Sequence, residues 1–186
     1  MTIIGNIVRA DLDWRRSFPW ALLAGAIAIA ANIALLSACD AAGVVTARGG
    51  FQKLVKLWLS RPLVGLGADR WWDAIGLPVA DTNAFMLGFK IVTGLVMALL
   101  YAVVIEPKWP TSPWRGGLVA AGLFWMANAC VVLPLLGQGF AGSRVLSLLG
   151  LLCFGAAHTA FFLVLAWFYA VFRRGAGRGS TSSRPL

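Results

Sequence analysis

Four long apolar runs, set apart by polar or basic stretches, organise this chain. Residues 17–39 carry no charge, 84–105 carry only Lys90 near their start, 116–137 carry none, and 149–172 hold no Asp, Glu, Lys or Arg but include the one histidine, His158. A hydrocarbon layer about 30 Å thick needs about 20 helical residues at about 1.5 Å of rise each. Each run therefore predicts one membrane-spanning helix. Pro19 is expected in the first turn of the first helix, where a missing N–H is tolerated, and Pro134 in the last turn of the third. The fourth run reaches back to Val145, so its helix is expected to tilt or to begin near Leu149.

The fold class that follows is an all-α integral membrane protein. Its four transmembrane helices form an up-down-up-down bundle over residues 1–172, with a long outer loop at 40–83. Within that loop, 51–59 is too short to span and is basic on one side, which predicts a short interfacial helix. Residues 68–75 offer a further short turn. The loop is expected to act as a lid over the bundle; substrate recognition is the competing role. Residues 173–186, rich in Gly, Ser and Arg, are expected to be a disordered basic cytoplasmic tail.

Composition agrees with spans and removes other classes. Of 186 residues, 60% are hydrophobic and 12% charged, with a mean hydropathy of +0.81. Soluble domains carry about a quarter charged residues, so neither an ordinary soluble enzyme nor a disordered chain fits. Three cysteines are too few for a disulfide-stapled module. The net charge of +9 lacks an aromatic-interleaved basic stripe, so the lipid bilayer is the expected partner and nucleic acid is not. Lys and Arg favour the side holding both termini (Arg9, Arg15, Arg16, Lys108, Arg115, Arg173, Arg174, Arg178, Arg184) over the side holding Arg48, Lys53, Lys56, Arg61, Arg70 and Arg144, with Lys90 at a helix mouth. The positive-inside rule then places both the N- and C-termini in the cytoplasm. Trp14, Trp20, Trp109, Trp114 and Trp167 fall near the cytoplasmic helix ends, as an aromatic belt requires.

Polar residues inside the runs are the candidates for chemistry, because polar groups in hydrocarbon turn to the bundle interior. Lys90 is followed eleven residues later by Tyr101-Ala102-Val103, and His158 eleven later by Tyr169-Ala170-Val171; Ala31-Asn32 and Ala127-Asn128 echo each other. A tandem duplication of a helical hairpin would produce this pattern, and so would chance among alanine-rich helices. Asn32, Lys90, Asn128 and His158 form the candidate intramembrane cluster. Against it stand interhelical hydrogen bonds for each Asn and outward snorkelling by Lys90. A lone histidine cannot ligate haem from two sides, and the mid-membrane runs hold no Asp or Glu; no metal or cofactor is expected.

Several motifs nearly fit. Leu36-Ser37-Ala38-Cys39 matches a lipobox, making Cys39 a possible lipidation site, although the apolar run before it exceeds a signal peptide's core. Gly137-x-Gly139-x-x-Gly142 has dinucleotide-fingerprint spacing but joins two membrane helices, which predicts a turn. Cys39, Cys130 and Cys153 form no Cys-x-x-Cys, and Cys130 and Cys153 are expected as buried structural thiols. Ala26, Ala30, Ala34 and Ala38 recur every four residues, a small-xxx-small row that lets helix backbones approach. Gly88, Gly94, Gly117 and Gly122 suit the same purpose. On this basis Ala30→Leu is expected to loosen the bundle.

Residues 89–172 resemble small bacterial inner-membrane proteins of the YagU-like kind. The resemblance is carried by Gly94 and Tyr101-Ala102, Arg115-Gly116-Gly117, Trp125, Leu133-Pro134, Gly137-x-Gly139 and a histidine-bearing last helix with a basic end. It departs at Lys90, where members often carry histidine. The resemblance implies a bacterial inner-membrane location and no particular reaction. The expected function is a non-enzymatic multi-pass protein, an accessory or packing subunit beside other membrane protein subunits. A small transporter or proton/ion conductor using the four polar residues is the alternative. A membrane enzyme acting on a lipid or isoprenoid, with Asp69, Asp73 and Asp81 as its acids, is the third.

Overall fold

The computed structural model describes residues 2–46, 74 and 83–179. The expected interfacial helix at 51–59, the turn at 68–75 apart from Ala74, and Asp69, Asp73 and Asp81 lie outside the described residues. Among those described there is no strand. The elements are α1 (Thr2–Ala41), α2 (Asn83–Leu100), α3 (Pro113–Ala127), the short α4 (Leu133–Leu135) and α5 (Leu148–Gly179). Four stretches are long and apolar enough to cross a membrane: Ser17–Ala41, Leu87–Lys108, Pro113–Leu135 and Leu148–Gly175. They follow the four apolar runs to within a few residues.

Two helix ends differ from expectation. Pro19 lies inside α1, which starts at Thr2, and not in its first turn. A membrane helix accepts an interior proline where neighbouring groups take up the freed carbonyl. At the other terminus α5 continues to Gly179, so the tail expected to be disordered from residue 173 is helical over its first seven residues. Extending a helix that already exists fixes one residue per hydrogen bond gained, without a new nucleus.

Each of the second and third spans contains a π turn, at Tyr101–Ile105 and at Asn128–Val132. Both sit directly upstream of a proline, Pro107 and Pro134, at the same spacing. A proline ring collides with the carbonyl four residues before it. Widening the preceding turn to i→i+5 bonding, with Glu106 N–H donating to the Tyr101 carbonyl and Leu133 N–H to that of Asn128, moves that carbonyl aside. The prolines thus explain both π turns.

The chain divides into two compact units. One comprises Met1–Ile33, Thr93–Gly122 and His158–Leu186, the other Ala34–Val92 and Leu123–Ala157. In the first, small residues set the helix spacing. Ala21, Ala24 and Ala28 of α1 are fully buried; a Cβ on Gly25 would lie 2.7 Å from that of Ala98, and one on Gly94 would strike Ile29. Between α3 and α5, a Cβ on Gly117 would come within 3.0 Å of the Phe162 carbonyl oxygen. In lipid, where burying apolar surface gives helices no drive to associate, such close approach is what holds them. Gly88 and Gly122 meet nothing within 4 Å and take no part. The larger buried side chains of this unit are Tyr101, Tyr169, Phe162 and Leu165.

In the second unit Leu36, Leu133, Phe154 and Ala157 form a small core with Leu146 against it. α1 and α4 both end in the same cap. Gly43 N–H donates to Asp40 and Val44 N–H to Cys39; Gly137 N–H donates to Pro134 and Gln138 N–H to Leu133. Gly43 and Gly137 both have φ near +74°, the left-handed conformation this cap requires and glycine adopts without penalty. The Gly137-x-Gly139-x-x-Gly142 segment is the expected turn.

The small-residue row falls elsewhere than expected. Ala26, Ala30, Ala34 and Ala38 are all exposed, while the parallel row at 21, 24 and 28 is the packed one. The expectation that Ala30→Leu loosens the bundle is therefore corrected: among the described residues these four alanines are exposed and not packed against another span.

Candidate functional site

Of the four polar residues singled out, Asn32 and His158 belong to the first unit and Lys90 and Asn128 to the second. All four are half-buried. Asn128 Nδ2 donates to the Phe124 carbonyl one turn back in its own helix, at 3.2 Å, which serves helix geometry. Asn32, Lys90 and His158 each interact with neighbours as well. Among the described residues no three of His, Cys, Asp and Glu gather as a metal would need. Cys39 lies in the last turn of α1, half-buried. Cys153 is likewise half-buried, whereas Cys130 is exposed, correcting the expectation of two buried thiols.

A polar site that sequence reasoning missed lies in the first unit. The Arg173 guanidinium donates to Glu106 Oε1 at 2.6 Å. Its carbon also stands 5.8 Å from the centroid of the Tyr169 ring, within cation–π range. Tyr169 lies beside Ser17 as well as Arg173. Tyr101 meets Tyr169 edge to face, with centroids 6.3 Å apart and planes at 85°. The network ties α1, the end of the second span and α5 together.

Helix geometry explains how these residues align. Arg173 follows Tyr169 by four positions, which an α-helix places on one face. Glu106 follows Tyr101 by five, which in a regular α-helix would turn it about 140° away. The π turn removes much of that offset, because its i→i+5 bond joins these same two residues. Pro107 thus sets the π turn, the π turn orients Glu106, and Glu106 reaches Arg173. Gly116 completes the fit: a Cβ there would lie 3.0 Å from the Tyr101 hydroxyl oxygen.

Beside the network is a cleft of about 390 Å³, walled by Phe18, Ala21, Leu99, Ala102, Val103 and the two prolines Pro107 and Pro110, with Ser17, Glu106, Tyr169 and Arg173 supplying its polar edge. Glu106 is 14% exposed and Arg173 37%, so the carboxylate is held inside and the guanidinium reaches outward. Charge at one edge and apolar walls elsewhere suit the head of an amphiphile. The repeated Tyr-Ala-Val and the proline after Glu106 were the available signals. Both lie in the sequence, but the repeat aligns Lys90 with His158, eleven residues upstream of each tyrosine, and not Glu106 with Arg173.

No family model matches the chain, and no curated protein or solved structure matches it either.

Proposed function

We propose that this protein is a non-enzymatic, multi-pass membrane protein that acts as an accessory or packing subunit of a larger membrane assembly. The observation that carries this is the exposed alanine row of α1. The exposed faces of the other spans present large apolar side chains suited to lipid: Leu87, Ile91, Val92 and Val96 on α2, Leu118, Leu123 and Met126 on α3, Leu148, Leu149 and Leu152 on α5. On α1 the exposed large hydrophobics among the described residues are Leu23 and Leu35; Ala26, Ala30, Ala34 and Ala38 are exposed between and beyond them. A smooth small-residue face wastes lipid contact but admits another helix backbone.

The membrane and the orientation rest on sequence. Resemblance of residues 89–172 to the YagU-like proteins supports a bacterial inner membrane. The excess of Lys and Arg on the side of the termini supports cytoplasmic N- and C-termini.

Native mass spectrometry after extraction in mild detergent tests the proposal. The wild-type chain is expected in a complex heavier than its own 19.8 kDa, and Ala30→Leu with Ala34→Leu is expected to release it as a folded monomer. A wild-type monomer, or a complex indifferent to both leucines, overturns it.

A further inference from the structure

The end of α1 and the start of α5 pack in antiparallel register within the second unit. Leu36 shares a core with Ala157 and Phe154. Further along α1, the Cys39 thiol lies within hydrogen-bonding reach of Cys153. Beyond the helix, the Val45 carbonyl presses against Gly150, where any Cβ would collide with it. As numbers rise along α1 they fall along α5, and the cysteines occupy the middle step of this register. Packing on both sides of the pair therefore holds it together, independently of the sulfurs.

The backbone under each cysteine is also pinned. The Cys39 carbonyl accepts the Val44 N–H at 3.0 Å in the cap that closes α1. Ser147 caps α5, its Oγ accepting the Gly150 N–H at 3.1 Å, one turn before Cys153. Both thiols are partly accessible, and Cys130 belongs to a different helix segment, the π turn Asn128–Val132.

From this register we infer that Cys39 and Cys153 are a redox pair, a dithiol that closes to an interhelical disulfide when a disulfide oxidant reaches it. One thiolate attacks a sulfur of the oxidant and releases its first thiol, leaving a mixed disulfide on the protein. The second thiolate attacks that protein sulfur and expels the oxidant's other thiol. The two cysteines lose two electrons and two protons to form one S–S bond, and the oxidant gains them as two thiols. Oxidation locks the end of α1 to the start of α5; reduction leaves them joined by packing alone. The chemistry depends on this contact and not on the subunit role or orientation proposed above.

The test uses the full chain in detergent micelles, reduced and then treated with oxidised glutathione. Free thiols are counted by maleimide mass-tagging under denaturing conditions, and linked peptides are mapped by mass spectrometry. The expected result is a fall from three reactive thiols to one, Cys130, with a Cys39–Cys153 peptide in the monomer band. Cys39→Ser and Cys153→Ser should each abolish that linkage, and Cys130→Ser should leave it intact. Three thiols remaining, stable glutathione adducts without closure, or cross-links running only through Cys130 between chains would each overturn the inference.

Discussion

Removing Arg173 should harm the protein more than removing the charge it pairs with. Glu106 is 14% exposed against 37% for Arg173. In Arg173→Met the carboxylate loses its 2.6 Å partner and stays largely shielded from water. Orphaning a fully buried charge costs about 3–5 kcal/mol and losing an exposed pair about 0–1 kcal/mol; this partly buried carboxylate should fall between, at about 2–3 kcal/mol. Glu106→Gln keeps an oxygen to accept the guanidinium's hydrogen bond, and Arg173 can turn to water, so the loss should be about 1 kcal/mol. In the double variant no carboxylate is orphaned, so it should be no less stable than Arg173→Met. Thermal unfolding in detergent, followed by tryptophan fluorescence, reads these differences at roughly 2–4 °C per kcal/mol for a chain of this size. Arg173→Met should lose about 5–10 °C and Glu106→Gln about 2–4 °C, while exposed Arg174→Met should stay within about 0.5 kcal/mol of wild type. Equal single losses that simply add in the double variant would refute the pairing and the network built on it.

Further outcomes follow from close approach. Gly117→Ala sets a methyl 3.0 Å from the backbone oxygen of Phe162, which cannot turn away as a side chain would; a loss of about 1–3 kcal/mol is expected, while Gly122→Ala, in open space, should be neutral or stabilising by up to about 1 kcal/mol. The same melting assay separates them, and equal effects would contradict the α3–α5 packing. Ala30→Leu should change the melting temperature of the isolated chain by less than Gly94→Ala, whose new methyl strikes Ile29; the reverse order would show that the alanine row is an internal face. Pro107→Ala should weaken the Glu106–Arg173 coupling measured by the double-variant cycle, because the turn can then relax to α and swing Glu106 off the Tyr101 face. Unchanged coupling would detach the π turn from the site.

The spans were legible because a bilayer imposes a length and forbids charge inside it, and both constraints are written directly into the apolar runs. The packing face of α1 was not. Ala26, Ala30, Ala34, Ala38 and the row at 21, 24 and 28 are equally small, and periodicity does not say which row meets a neighbour. The Glu106–Arg173 pair was hidden differently. Its members lie 67 residues apart, and each alone looks like an ordinary helix-end charge that sets orientation. Their meeting depends on a π turn, which breaks the 3.6-residue period on which helical face assignments rest. Pro107 and Pro134 were the visible trace of that break. Cys39 and Cys153 likewise share no sequence motif, and only antiparallel packing brings them side by side.

The claim beneath the whole account is that the chain crosses the bilayer four times. Epitope tags at the two termini, probed with protease in sealed vesicles before and after permeabilisation, test it most directly. Four crossings predict that both tags share one side, cleaved together or protected together. One tag cleaved and the other protected in intact vesicles would mean an odd number of crossings and would contradict the account.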